Sequence, residues 1–104
     1  MEFAGLGRFA DPAVLILSSL AGGDKHGYAL VKDIEEFADI RLGPGTLYGA
    51  LTRLERRGLV EALAADDRRR PYRLTGAGAA ALREYLWHAQ AVTRIGLNRL
   101  AAES

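Results

Sequence analysis

The sequence contains no cysteine, two histidines and three prolines, and its net charge is only +1 over 104 residues. Without cysteine there can be no disulfide, no cysteine zinc site and no thiol redox switch. His26 and His88 stand far apart in the chain, with no carboxylate cluster around either, so neither a metal site nor a histidine-based catalytic dyad is expected. A nucleophile with an adjacent base, a paired-carboxylate pocket and a phosphate-cradling glycine motif are also missing. An enzyme is not expected and no cofactor is called for. No apolar run is long enough to span a bilayer, and no basic-then-apolar leader opens the chain, which makes a cytoplasmic location the expectation. Internal repeats are absent. The net charge by itself makes no case for a polyanionic partner.

What is present is globular in proportion. Apolar residues make up 49% of the chain and charged residues 26%, enough for one domain with one modest core. The charge is unevenly spread. Between Arg41 and Arg73 there are eight basic residues and four acidic ones, a local positive excess of the kind a polyanion meets. Asp33, Glu35, Glu36 and Asp39 precede that segment and cancel it in the total. The excess is densest in "DDRRRPYRLT", residues 66–75, where Arg68, Arg69 and Arg70 stand in a row. Such a run is either a solvated turn or a charged finger reaching for phosphate.

Periodicity divides the chain into five elements. Asp11-Pro12 is a helix start, with Asp as N-cap and Pro at the first helical position. "AVLILSSLAGG" follows, apolar on nearly every side, and predicts a buried helix ended by Gly22-Gly23. Asp24 is the expected cap of a second helix whose inward stripe is Leu30, Ile34 and Phe37. A third helix begins near Pro44, buries Leu47, Leu51 and Leu54, and ends at Gly58. Leu59 to Ala64 and Pro71 to Leu74 read as two strands of a hairpin with Asp66 to Arg70 as its turn. Thr75 caps a fourth helix that runs almost to the C-terminus. Residues 1–10 have weak periodicity and are read as a flexible N-terminal arm.

Helix, helix, helix, hairpin, helix is the plan of a winged helix-turn-helix with one added helix, a mainly α fold with a small β-hairpin wing. Residues 11–74 form the DNA-binding part on this reading, and residues 75–104 a C-terminal dimerisation helix. The third helix would enter the major groove. With its leucines inward, Thr46, Tyr48, Gly49, Thr52, Arg53 and Arg56 lie on or near the outer side. Those groups suit phosphates and base edges. Tyr48 is equally readable as a packing residue, and Arg57 as a complement to the helix dipole. Arg68, Arg69 and Arg70 sit at the wing tip, within reach of phosphate or the minor groove.

Three stretches, "HGYALVKDI", "GPGTLYGALTRLERRGLVEA" and "RRRPYRLTGAGAAALREYL", together resemble the PadR family of bacterial transcriptional regulators, in order, over about Pro12 to Leu86. The single helix after the wing is similar to the compact branch of that family. The resemblance implies a homodimeric repressor acting on double-stranded DNA at a pseudo-palindromic operator. It sets His26, Gly27 and Tyr28 at the start of the second helix, where Tyr28 is expected to pack the helix-turn-helix and to be able to touch the backbone, and Thr46, Leu47 and Tyr48 at the start of the recognition helix. It gives the dimer contact to the segment from Thr75 onward.

The residues of that last helix agree. Leu82, Tyr85, Leu86, Ala89, Val92 and Leu100 form an apolar stripe with no downstream element to cover it; an identical helix is the economical partner, and the alternative is that the helix folds back onto its own domain, with the N-terminal arm helping to cover it. Compact members of the family bind flat aromatic compounds beside a tryptophan of this helix. Trp87 stands slightly earlier than that tryptophan. It is read either as packing or as a contact for a small aromatic effector. The other class of function consistent with these elements is a winged-helix protein-interaction module that does not bind DNA.

Overall fold

The computed structural model describes residues 11–65 and 68–103. The proposed arm at residues 1–10, two residues of the wing turn (Asp66 and Asp67) and Ser104 lie outside the described residues. Four helices and one two-stranded antiparallel sheet follow one another as α1 (Pro12–Leu20), α2 (Gly27–Ala38), α3 (Pro44–Arg56), β1 (Val60–Ala62), β2 (Tyr72–Leu74) and α4 (Gly76–Ala102).

α1 is the central element. Asp11 accepts a hydrogen bond from the Ala13 amide at 2.9 Å and Pro12 opens the helix, as its sequence predicts. Leu15, Ile16, Leu17 and Leu20 are buried. α2 and α3 pack on it through Leu30 and Ile34, and through Leu47, Ala50, Leu51 and Leu54. Phe37, placed on the α2 stripe by its spacing, is exposed instead. The core next to it is closed by buried Leu42, with Ala38 and Ile40 packed against it.

The cap of α2 differs from expectation. It is His26, whose Nδ1 accepts from the Ala29 amide at 3.4 Å. Asp24 is drawn away by Arg73 of β2, 3.2 Å distant. At the other end Asp39 takes a left-handed conformation, φ 56°, which its short polar side chain tolerates better than a branched one. α3 ends at Arg57 and Gly58, with Gly58 at φ 75°.

The wing strands are shorter than the sequence predicts. Val60 pairs with Leu74, Glu61 with Arg73 and Ala62 with Tyr72. One further bond runs from the Leu63 amide to the Pro71 carbonyl at 2.8 Å, but Pro71 has no N–H to return and the ladder stops. Lys25 supplies a third edge. It exchanges two backbone hydrogen bonds with Tyr72, at 2.9 and 3.2 Å. Its Nζ donates to the Ser19 carbonyl at 2.6 Å and lies 3.9 Å from Asp33, whose carboxylate also accepts from the buried Ser19 hydroxyl at 2.6 Å. This polar knot ties α1, α2 and the wing together, and it satisfies the one buried polar side chain among the described residues.

α4 is pinned at its first turn. The Thr75 hydroxyl donates to the Gly58 carbonyl at 2.7 Å and accepts from the Gly78 amide at 3.0 Å. Gly78 is required there, because a Cβ would overlap the Leu59 carbonyl. Leu82, which the spacing put on the dimer stripe, is only 6% exposed and belongs to the domain's own core. It lies within two turns of the pinned start, where α4 still runs against α1. Beyond it the 27-residue helix, about 40 Å long, leaves the domain. The radius of gyration is accordingly 15.4 Å, against about 13 Å for a compact chain of this length.

Candidate nucleic-acid interface

Three segments distant in sequence meet on one side of the molecule. They are the start of α2, the first turns of α3 and the wing tip. Helix-turn-helix packing sets the first two side by side, and the Lys25–Tyr72 bridge holds the wing against the start of α2. The result is a cleft of about 250 Å³ lined by His26, Gly27, Tyr28, Tyr48, Arg68, Arg69, Arg70 and Tyr72. Tyr48 is half in and half out, which answers both readings of it. Its ring lies over the first turn of α2, where a Cβ on Gly27 would overlap its hydroxyl, yet 49% of it remains exposed. Tyr28 does not pack the helix-turn-helix. It is 68% exposed, with the Lys32 ammonium 5.7 Å from its ring centroid. Burial pushes the Tyr72 phenol above its ordinary pKa, with Glu55 and Tyr48 adding to the effect and Arg70 opposing it. Tyr72 is therefore a neutral hydroxyl at physiological pH.

On α3, Thr46, Thr52, Arg53 and Arg56 are all exposed, off the face of the buried leucines, and Arg53 and Arg56 border a groove with Ala13, Ala50 and Leu54. Thr52 spends its proton on the Tyr48 carbonyl, 2.8 Å away, which leaves its oxygen as an acceptor. Among the described residues, no carboxylate lies within 4.0 Å of Arg53, Arg56, Arg68, Arg69 or Arg70. Arg41 and Arg73 differ: Arg41 pairs with Glu35, and Arg73 with Asp24 and Glu61. The positive excess therefore sorts into arginines paired with carboxylates and arginines with no carboxylate beside them among the described residues, and the second set includes the wing tip and the exposed arginines of α3. Arg68 holds a left-handed backbone, φ 76°, at the turn.

The sequence reading missed His26 and Lys32. For His26 the sequence carries only its place at the start of the second helix, and the cap geometry brings it into the cleft. Lys32 lines the neighbouring groove of about 490 Å³ between α2 and the start of α3, with Tyr28, Arg41 and Leu47.

Tyr85 and Ala89 of α4 are half-buried, while Leu86, Val92 and Leu100 are exposed, Val92 at 71%. Ile95 and Leu97, outside the expected stripe, are exposed as well. Trp87 is 67% exposed and borders a cleft of about 290 Å³ with Ala21, Leu74, Leu82, Leu86 and Gln90.

A three-helix domain with a hairpin wing and a long terminal helix defines the winged-helix class of regulators. Comparison with known proteins narrows it. The profile of the transcriptional regulator PadR-like family matches residues 16–84, and the chain belongs to that family. It is 44% identical over 72 residues to the transcriptional regulator Rv3488 of Mycobacterium tuberculosis, covering 66% of each chain. It is 51% identical over 71 residues to an uncharacterized 37.1 kDa protein in transposon TN4556 of Streptomyces fradiae, covering 68% of this chain and 21% of that protein. The chain thus spans about a fifth of one of these relatives and 66% of the other. A PadR family transcription regulator from Clostridium difficile R20291 superposes with a TM-score of 0.75 at 26% identity, covering 86% of this chain and 94% of that one.

Proposed function

We propose that this PadR-family regulator is a homodimeric, sequence-specific repressor that binds double-stranded DNA. α3 enters the major groove, the wing arginines grip phosphate, and α4 pairs with its copy in the partner. The observation that carries the reading is the convergence of the α2 start, Tyr48 and Arg68, Arg69 and Arg70, none with a carboxylate within 4.0 Å among the described residues, on one cleft. Exposed guanidinium groups with no carboxylate beside them among the described residues are suited to a line of phosphates. The projecting, apolar α4 supports the dimer, since an exposed stripe of this size needs cover. Two-fold symmetry then requires a pseudo-palindromic operator with half-sites about one helical turn apart.

Selection of bound duplexes from a random library, followed by footprinting, tests this reading. The expected result is a pseudo-palindromic consensus protected on one face of the DNA. If no sequence is enriched and random duplex is not bound at low salt, the protein-interaction module replaces it. Relief of repression is assigned to a small aromatic compound in the cleft beside Trp87. Because Trp87 is the sole tryptophan, quenching by flat aromatic compounds reports on that cleft alone. Quenching accompanied by release of operator is expected, and quenching without release removes the effector role.

A further inference from the structure

The turn into α2 holds a conflict between hydrogen-bond donors. His26 accepts from the Ala29 amide through Nδ1 at 3.4 Å. A neutral imidazole has one acceptor nitrogen, so Nε2 then carries the proton and is itself a donor. Yet Nε2 stands 3.4 Å from the Arg69 guanidinium, which has only donors to offer. The other tautomer lets Nε2 accept from Arg69 but turns Nδ1–H against the Ala29 amide and loses the cap. A doubly protonated ring meets donors on both sides. No protonation state satisfies the ring and its two neighbours together.

An oxygen acceptor brought in beside Nε2 and the guanidinium resolves all three. Nδ1 keeps the cap, while Nε2–H and Arg69 donate to the same oxygen. Among the described residues no carboxylate lies within 4.0 Å of either group, and the exposed contact is open to an acceptor from a bound partner. The contact lies in the cleft already described, with Arg68, Arg70 and the hydroxyl-bearing rings of Tyr28, Tyr48 and Tyr72 around it. Surroundings of that kind favour an anion.

We infer that His26 Nε2–H and Arg69 together seat one phosphate oxygen of the DNA backbone, making His26 a direct DNA ligand as well as a helix cap. The inference rests on the DNA-binding reading and adds to it a residue which that reading does not need. It also couples two elements. A single phosphate bridging α2 and the wing fixes the wing's angle to the recognition helix, and releases Arg69 from competing for the ring.

His26→Ser separates the two roles. Serine retains an oxygen for the cap and has nothing that reaches the position of Nε2. The variant is expected to melt within a few degrees of wild type. Its affinity for the selected operator and for a random duplex of equal length should fall about tenfold per half-site, as for one lost hydrogen bond to a charged group. Operators carrying one neutral methylphosphonate linkage, scanned position by position, should reveal one linkage per half-site where wild type loses that factor and His26→Ser loses nothing more. Nitrogen chemical shifts of the His26 ring in the wild-type complex should report the Nε2–H tautomer. If His26→Ser binds as wild type while Arg69→Ala is weakened, His26 is a cap only and the proposed function stands without it. If both variants bind DNA as wild type does, the wing contact itself falls. Should His26→Ser fail to fold, the ring shifts decide alone, and an unprotonated Nε2 in the complex overturns the inference.

Discussion

The winged part of the chain and the far half of α4 are built from similar apolar stock and end in opposite states. In residues 12–74 the leucines and isoleucines of α1, α2 and α3 close on one another, and Ile16, Leu30, Ile34, Leu47 and Leu51 are fully buried. After Leu82, Leu86, Trp87, Val92, Ile95, Leu97 and Leu100 of α4 are all exposed, none below 44%. Three helices that cross can cover each other's stripes, whereas a single helix that leaves the domain has no other element among the described residues to lie on. The first region is finished as a monomer, and on the proposed function the second is finished only by another copy.

That contrast is most severely tested by charge. Leu86→Glu combined with Val92→Glu should leave the winged part folded and abolish the dimer at micromolar concentration, because each chain would bury two unpartnered carboxylates in the interface. Sedimentation equilibrium reads the outcome, and a variant that still dimerises would show that α4 pairs through another face. Leu54→Ala should do the converse, removing roughly 2–5 kcal/mol of folding stability in chemical denaturation through a cavity in the closed core. A loss of under about 0.5 kcal/mol would mean that α3 is packed less tightly than its burial indicates.

The junction between the regions should be sensitive too. Gly78→Ala places a methyl group in the Leu59 carbonyl and is expected to cost about 1–3 kcal/mol, although alanine is otherwise the better helix former. A stabilised variant would show that the start of α4 can move away from β1. Smaller for the fold, Arg53→Ala should leave the melting temperature nearly unchanged while weakening operator binding by about 1–3 kcal/mol if Arg53 reads a base edge. Melting of the domain with DNA binding intact would reverse the inward and outward assignment of α3.

Legibility followed the same division. Local signals were readable wherever the chain acts on its near neighbours: Asp11-Pro12 before α1, Pro44 before α3, Gly58 after it, Thr75 before α4, and the hairpin between them. Errors arose where a distant partner decides. Asp24 looked like a cap, but Arg73, far along the chain, takes its carboxylate and leaves the cap to His26. The Lys25–Tyr72 bridge is a single residue pair and has no periodicity to read. Leu82 has the spacing of the outer stripe and lies inside because the Thr75 and Gly78 contacts hold the first turns of α4 against the domain. In the candidate interface the arginines stood out by number, while His26 needed coordinates, since nothing in sequence sets residue 26 beside residue 69.

The central claim is that the wing arginines hold DNA by its phosphates, and Arg69→Ala across a salt series tests it most directly. Each phosphate contact contributes about 0.9 to the slope of log affinity against log salt. For a dimer with two wings, the variant should flatten that slope by about two units, and should weaken operator and random duplex alike. An unchanged slope would place the wing tip in solvent, and the arginine run would be a charged, soluble turn.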